Sequence, residues 1–181
     1  MSKSYSHKKI IVCFIAVFLM LFSFSSRSYA QEVNYKAYSV YIYNFIKYIE
    51  WPEETKKGEF IIAIIGDSPI NNELKALAAS KKANGQTIVI KQYATIEEVE
   101  KCQILYLCSS KSKLLKGAIE KTKNMSALLI TEREGLAKKG AGINFVTLED
   151  ETLKFEMNEK VIEAHNLKIP RVLKELGLIV G

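Results

Sequence analysis

Strand-like and helix-like segments alternate along most of this chain, and this alternation constrains the fold more than any other feature. Residues 60–65 form an apolar, β-branched run, FIIAII, which ends at Gly66 and is typical of a buried strand. The segments after it are predicted, in order, as helix, strand, short helix, strand, helix and strand: INNELKALAASKK, QTIVIKQY, TIEEVEK, QILYLCS, KSKLLKGAIEKTK and ALLIT. Regular alternation of this kind predicts an α/β domain with a parallel sheet and helices on its faces.

The two ends of the chain depart from this alternation. Residues 35–51 carry apolar side chains at helical spacing and predict an aromatic-rich helix, which Pro52 ends. Near the other end, GINFVTL and TLKFEMN flank three acidic residues and predict an antiparallel hairpin. The last segment, EKVIEAHNLKIPRVLKELGLIV, is predicted as a helical region interrupted at Pro170. The expected fold is a single-domain α/β sandwich: a mostly parallel central sheet flanked by helices, ending in a hairpin and a C-terminal helix.

The first 30 residues are predicted to be a secretory signal peptide. Three lysines precede an apolar run from Ile10 to Phe24, and the small residues Ser28 and Ala30 place the cleavage near Ala30. This run is shorter than the roughly 20 residues that a membrane-spanning helix needs. The expected mature domain is 31–181, located in the periplasm, and an uncleaved membrane anchor is the alternative.

Most of the positive charge belongs to the predicted signal peptide. The formal net charge of the whole chain is +6, and the first 30 residues contribute four cationic side chains and no acidic one. The mature chain therefore carries a formal charge of +2. A charge this small gives no indication of nucleic-acid binding, so no nucleic-acid partner is expected.

The cysteines and histidines of the mature chain give no sign of a metal site or a cofactor. Cys102 and Cys108 are six residues apart on one predicted strand, so their Cα atoms would lie about 20 Å apart, beyond the reach of a disulfide. They are therefore expected to be buried thiols. A metal site would need closer ligands and more of them, and His165 is the only mature histidine.

The sequence Gly-Asp-Ser-Pro at 66–69 resembles the start of a GDSL-type serine hydrolase, but its catalytic triad is incomplete. A serine hydroxyl needs an oriented base to become a nucleophile. Those hydrolases supply it with an aspartate three residues before a histidine, and Ile162 stands three residues before His165. The favoured interpretation is a tight turn with no catalytic residue. A GDSL-type hydrolase remains the third hypothesis for the function.

Five short motifs, in order along the mature chain, resemble those of the YfiR/HmsC-like family of exported proteins. They are YKAYSVYIYNFIKYIEWP, FIIAIIGDSPI, KCQILYLCSS, LKFEMN and AHNLKIPRVLKEL. The resemblance covers essentially the whole mature chain, from Tyr35 to Leu178. Several motifs in the same order are more specific than any one of them, so the chain is identified as a member of this family.

The resemblance implies a non-catalytic periplasmic regulator that acts by protein contact. The best-understood members bind the periplasmic sensor domain of a membrane-bound diguanylate cyclase and repress the enzyme, and an outer-membrane lipoprotein can sequester them. The implied partners are therefore an inner-membrane signalling protein of the diguanylate cyclase or sensor kinase type and an outer-membrane lipoprotein, in control of cyclic-di-GMP and biofilm formation. The alternative is a periplasmic small-molecule-binding protein with a pocket lined by the aromatic helix.

The candidate contacts for a partner or ligand are aromatic and polar residues of these motifs: Tyr41, Tyr43, Asn44, Tyr48, Trp51, Glu156 and Asn158. Aromatic side chains dominate both cores and interfaces, so Trp51 is interpreted either as a core anchor at the helix end or as a contact. Glu156 is expected to face solvent or a partner. Asn158 is expected to cap the following helix or to contact a partner. Exposed tyrosines are compatible with a homodimer.

Overall fold

The computed structural model describes residues 33–181, and every structural statement below concerns these residues. The predicted signal peptide and its cleavage position lie outside the described residues. Both therefore stay predictions.

A central sheet connects the strands of the described chain. The strands are β1 (Phe60–Ile65), β2 (Lys82–Ala83), β3 (Gln86–Tyr93), β4 (Ile104–Leu107), β5 (Leu128–Thr131), β6 (Ile143–Thr147), β7 (Leu153–Met157) and β8 (Leu178–Ile179). Their order is β2-β3-β1-β4-β5-β6-β7-β8. Five neighbouring strands of this order, β3, β1, β4, β5 and β6, are parallel to one another. β6 and β7 form the predicted antiparallel hairpin. The predicted fold class is confirmed.

Helices cover both faces of this sheet. They are α1 (Tyr35–Tyr48), α2 (Ile70–Ser80), α3 (Leu115–Lys123), α4 (Glu159–Ala164) and α5 (Arg171–Leu176), with 3-10 turns at Glu53–Thr55 and Ser109–Leu114. Side chains of α1, α2, α4 and α5 belong to the core on one face of the sheet. The core on the other face includes Ala118 of α3.

The strand β1 shows why its sequence is uniformly apolar. Ile62 and Ile64 belong to the first core, and Ala63 and Ile65 belong to the second. Since successive side chains of a strand point to opposite faces, a strand buried on both faces has no polar positions.

The predicted helix 35–51 is shorter in the structure. It begins after Asn34, whose side chain accepts a hydrogen bond from the Ala37 amide at 3.0 Å. It ends at Tyr48, and Ile49 already has an extended backbone. The cause lies in the next residue, because the backbone of Glu50 exchanges two hydrogen bonds with Lys168, at 3.0 and 3.2 Å.

The predicted helix TIEEVEK with its capping box is wrong. This segment forms bends and turns, and the Glu98 carboxylate accepts a hydrogen bond from the Ala94 amide at 3.1 Å. Ile96 and Val99 are buried in the second core. A seven-residue segment gains little from helix formation, so these two anchors decide its backbone instead.

The C-terminal helical region also ends earlier than predicted. Leu178 and Ile179 form β8, parallel to β7, and Gly177 between α5 and β8 has an extended backbone. A Cβ atom at Gly177 would lie 2.5 Å from the Phe155 ring, so only glycine lets the chain pass this close to β7.

Candidate functional site

A groove lies where α1 ends, at the edge of the sheet where the parallel strands begin. It is lined by residues 47–53, Lys56, Asn84, Asn166 and Lys168, and its volume is about 460 Å³. We call it the Trp51 groove. It contains Tyr48 and Trp51, two of the seven candidate residues.

Trp51 forms the buried wall of this groove. Only 5% of the residue is exposed, and its ring meets the Phe60 ring edge-on with the centroids 5.1 Å apart. The indole Nε1–H donates a hydrogen bond to the carbonyl oxygen of Ile46 at 3.2 Å. Trp51 is therefore a core anchor that also shapes the groove.

Tyr48 and several charged side chains form the open part of the groove. Tyr48 is 41% exposed, and the Lys47 ammonium lies 4.9 Å from the centre of its ring. On the rim, Lys168 lies 3.7 Å from Glu50, and Lys56 pairs with Glu53. Exposed pairs of this kind contribute little to stability, so these charges can exchange partners easily.

The other candidates on α1 face different neighbours. Tyr41 packs against Phe155, with ring centroids 5.5 Å apart, and its hydroxyl lies 3.5 Å from the Leu153 carbonyl oxygen. Tyr43 faces Lys81, whose ammonium lies 5.8 Å from its ring centre. Asn44 is half-buried. These three residues lie outside the Trp51 groove.

Glu156 belongs to a polar row that crosses three strands, consisting of Thr131, Asn144 and Glu156. The Thr131 hydroxyl donates to Oδ1 of Asn144 at 2.7 Å, and Nδ2 of Asn144 donates to Oε2 of Glu156 at 2.9 Å. Asn144 is fully buried, and the sequence analysis missed it. The predicted hairpin could have indicated Asn144 as a neighbour of Glu156, because its register pairs these two residues.

Asn158 has the structural role that was one of its two interpretations. Its Oδ1 accepts from the Val161 amide at 3.3 Å and so caps α4. Its Nδ2 donates to the Ala137 carbonyl oxygen at 3.0 Å. Asn158 is buried, and its hydrogen bond to Ala137 is buried as well.

At the opposite edge of the sheet, Glu132 organises a buried aromatic cluster. The Tyr106 hydroxyl donates to Oε2 of Glu132 at 2.6 Å, and the Ser109 amide donates to Oε1 at 2.8 Å. Burial, with the nearby Glu132 charge, raises the pKa of Tyr38 and of Cys108 to about 12. Both groups are therefore neutral at physiological pH, and the Cys108 thiol is not an activated nucleophile.

Ser68 and His165 lie at opposite edges of the sheet. Ser68 follows the carboxyl end of β1, and its Oγ accepts from the Ile70 amide at 3.4 Å. Nδ1 of His165 lies 2.7 Å from the carbonyl oxygen of Ala127, which precedes the amino end of β5. Because β1 and β5 run in the same direction in the sheet, these side chains do not form a serine–histidine pair. Residues 66–69 connect β1 to α2, with a bend at Gly66 and a turn at Pro69, in agreement with the turn interpretation of this segment.

Comparison with known proteins decides the family. The family model described as YfiR/HmsC-like matches residues 35–177. The chain belongs to the YfiR/HmsC-like family. This confirms the identification made from the five motifs, and it places the chain in a family of regulatory rather than catalytic proteins. No curated protein matches the chain.

One solved structure with a similar fold is the crystal structure of the ABC domain in complex with L-Trp from Streptococcus pneumonia. It is 12% identical in sequence, with a TM-score of 0.50 over 67% of this chain and 55% of that chain. The chain thus spans about half the length of that protein. This likeness concerns the fold alone.

The structure gives three of the five motifs of this YfiR/HmsC-like chain a physical role. The Trp-Pro motif closes α1 and shapes the Trp51 groove, and the Gly-Asp-Ser-Pro motif turns the chain from β1 into α2. Asn158 of the Phe-Glu-Met-Asn motif ties β7 to the start of α4. Among these features, the Trp51 groove is the one that leaves an aromatic side chain exposed.

Cys102 and Cys108 are free and buried, which confirms that they do not pair with each other. Within residues 33–181, no three histidine, cysteine or acidic side chains come together as a metal site would require. The same residues include no helix with the length and apolarity needed to span a membrane.

Proposed function

We propose that this protein is an exported regulator that binds the periplasmic sensor region of a membrane-bound signalling enzyme, of the diguanylate cyclase or sensor kinase type, and represses it. The observation that carries the proposal is the family match, which extends over residues 35–177. Repression by contact requires no catalytic residue. It therefore agrees with the separation of Ser68 from His165 and with the neutral Cys108 thiol.

The Trp51 groove is the contact surface that we assign to the signalling partner. Tyrosine and tryptophan are enriched among the residues that contribute most to binding energy, and such residues are usually surrounded by a polar rim. Tyr48 is exposed beside the rigid Trp51 wall, and Lys47 and Lys168 lie around it. A rigid aromatic wall favours binding because little conformational entropy is lost there.

An outer-membrane lipoprotein would then compete for the regulator, and a second copy of the chain would use a different surface. The C-terminal helix α5 and the edge strand β8 expose four apolar side chains: Val172 and Leu176 of α5, and Leu178 and Ile179 of β8. An exposed apolar patch next to an edge strand favours self-association. This edge therefore suits a homodimer and leaves the Trp51 groove for the signalling partner.

The test is affinity capture of the exported, tagged protein from the cell envelope after mild crosslinking, followed by mass spectrometry. The wild-type protein is compared with Lys168→Glu, which reverses a charge in the groove. The matched control is Lys116→Glu, because Lys116 is an exposed lysine of α3 on the other face of the sheet. We expect Lys168→Glu to lower the recovery of an inner-membrane signalling protein at least tenfold and Lys116→Glu to leave it unchanged. Equal recovery with both variants would contradict the assignment of the groove.

A second candidate function is small-molecule binding in the same groove. The groove volume of about 460 Å³ lies within the range of ligand pockets, which is about 300 to 1,000 Å³. In that case a ligand would raise the melting temperature of the isolated protein, because a ligand that binds only the folded state stabilises it. Partner capture and the thermal shift therefore distinguish the two functions.

A further inference from the structure

A two-residue turn joins β2 to β3 beside the Trp51 groove. It consists of Asn84 and Gly85, because the flanking residues Ala83 and Gln86 pair with each other. Both turn residues have positive φ, 50° and 96°, which is the pattern of a type I′ hairpin turn. Asn84 belongs to the lining of the groove. We call these two residues the Asn84 turn.

The Asn84 turn places a side-chain amide next to an unhindered backbone nitrogen. Asn84 and Gly85 are both exposed. A Cβ atom at Gly85 would meet no atom within 4 Å, so the space around this backbone is open. Since glycine has no side chain, its backbone can approach a neighbouring group more closely than that of any other residue. The Gly85 nitrogen is therefore able to reach the side-chain carbonyl carbon of Asn84.

The reaction that this contact allows needs only water. The Gly85 nitrogen forms a bond to Cγ of Asn84, the bond from Cγ to Nδ2 breaks, and ammonia leaves with the proton of the attacking nitrogen. Water then opens the resulting succinimide ring at one of its two carbonyl groups. The product is aspartate or isoaspartate at position 84. In total, one side-chain amide and one water become a carboxylate and an ammonium ion.

The hairpin around the turn is able to loosen, as ring closure requires. β2 has only two residues, Lys82 and Ala83, and it lies at the end of the sheet, where it pairs with β3. Of these two residues, only Ala83 is buried. Segments with few buried contacts open locally at a low free energy. The turn therefore reaches the reactive geometry without unfolding of the domain.

Asn166 is a matched comparison in the same groove. It is exposed, it lines the groove, and its φ of 59° is also positive. The next residue is Leu167, whose side chain is buried in the core. This side chain hinders the approach of the Leu167 nitrogen to the Asn166 amide. The two asparagines thus differ mainly in the residue that follows them.

A carboxylate at position 84 changes the charge of the groove. The lining includes three lysines and two glutamates: Lys47, Lys56, Lys168, Glu50 and Glu53. Their formal charge is +1, so one new carboxylate makes the lining neutral. In the isoaspartate product the backbone also gains a methylene group, which a two-residue turn cannot accommodate without a shift of β2.

We propose that the Asn84 turn is a self-modifying site, at which Asn84 deamidates without an enzyme and adds a negative charge to the Trp51 groove. The reaction is irreversible, so it accumulates with the age of the molecule and weakens the contact with the signalling partner. This loss of contact rests on the proposed function of the groove, whereas the deamidation itself does not.

The deamidation is tested on the purified exported protein, incubated in mildly alkaline buffer, digested with trypsin and analysed by mass spectrometry. Peptides 83–91 and 161–168 report on Asn84 and Asn166 separately. We expect Asn84 to deamidate at least tenfold faster than Asn166, and faster at higher pH, because the attacking nitrogen must lose its proton. An equal rate at the two asparagines would overturn the proposal.

Two variants test the effect on the groove by envelope capture. Asn84→Asp carries the charge of the product, and Asn84→Gly keeps a type I′ turn but has no amide to lose. Asn84→Asp changes the groove by one charge unit, whereas Lys168→Glu changes it by two. We therefore expect about threefold lower recovery of the signalling protein with Asn84→Asp and an unchanged recovery with Asn84→Gly.

The two measurements separate the deamidation from the partner-binding function. Equal recovery by Asn84→Asp and the wild type would overturn the loss of contact. If the wild type recovers no signalling protein, the proposed function fails, and the peptide masses still decide whether Asn84 deamidates.

Discussion

The indole Nε1–H of Trp51 donates a hydrogen bond to the carbonyl oxygen of Ile46 at 3.2 Å. Ile46 lies in the last turn of α1, where carbonyl groups have no partner within the helix. Trp51 thus satisfies a carbonyl group at the end of α1 and fills the core beside Phe60. One residue therefore both satisfies the last turn of α1 and forms the wall of the groove.

Replacement of Trp51 tests this double role. We expect Trp51→Ala to lower the free energy of unfolding by about 3 to 5 kcal/mol, because it removes a large buried side chain. Trp51→Phe keeps most of the packing and loses the hydrogen bond. We expect the lost hydrogen bond to lower the free energy of unfolding by about 1 kcal/mol, in addition to the effect of the smaller ring. Urea denaturation measures both values. An unchanged midpoint for Trp51→Ala, together with a loss of partner capture, would show that Trp51 is a contact residue and not a core anchor.

Two buried asparagines should respond in opposite ways to the same change. Asn144→Leu removes the Asn144 donor from the Glu156 carboxylate and one of the two acceptors of the Thr131 hydroxyl, so we expect a loss of about 2 kcal/mol of stability. Asn71→Leu removes an amide that has no partner, so we expect a neutral or stabilising effect. Thermal unfolding of the two variants measures the difference. A large loss for Asn71→Leu in the free protein would mean that its amide is already paired.

The Cys102 thiol predicts a loss of stability in alkaline solution. Burial raises its pKa from 9.0 to about 12, so above pH 9 the unfolded chain ionises while the folded protein does not. The contribution of the neutral, buried Cys102 thiol to the free energy of unfolding is fully present below pH 9. It is lost as the pH rises towards 12. Between pH 9 and 10 we expect this one thiol to lower the stability by about 1 kcal/mol.

Cys102→Ala is the control for this pH dependence. Its unfolding free energy should fall less between pH 9 and 10 than that of the wild-type protein, as measured by urea denaturation at each pH. Equal slopes for the two proteins would argue that Cys102 reaches solvent.

Gly177→Ala tests the packing around β8, and Gly117→Ala on α3 is its control. A Cβ atom at Gly177 would lie 2.5 Å from the Phe155 ring, so Gly177→Ala should cost about 1 to 3 kcal/mol. At Gly117, on α3, the nearest atom would lie 3.8 Å away, so Gly117→Ala should add roughly 0.5 to 1 kcal/mol through its higher helix propensity. Thermal melts of both variants test this. Similar changes for the two would mean that β8 is not held against Phe155.

The parallel sheet was predictable because β1, β3, β4 and β5 are short apolar runs separated by helical patterns. Two short strands were missed for different reasons. The turn before β3 contains Asn84 and Gly85, both with positive φ, and this Asn-Gly pair was an unused signal for the β2–β3 hairpin. β8 was not visible in the sequence, because its pairing depends on how closely Gly177 approaches Phe155.

The candidate site was harder to predict than the fold. Tyr48 and Trp51 lie close in sequence and line the same groove, and both were candidates because a helical pattern is followed there by Trp-Pro. The groove also needs Lys168, which reaches it only because its backbone pairs with Glu50. That pairing joins residues more than 100 positions apart, and no local pattern in the sequence indicates it.

The most direct test of the proposed function is quantitative envelope capture with the wild-type protein and Tyr48→Ser. Tyr48 is exposed, so the substitution should change the melting temperature little. We predict that the wild-type protein recovers an inner-membrane protein with a periplasmic sensor and a cytoplasmic signalling domain, and that Tyr48→Ser recovers at least tenfold less of it. Recovery of no such protein by the wild type, or equal recovery by Tyr48→Ser, would contradict regulation through the Trp51 groove.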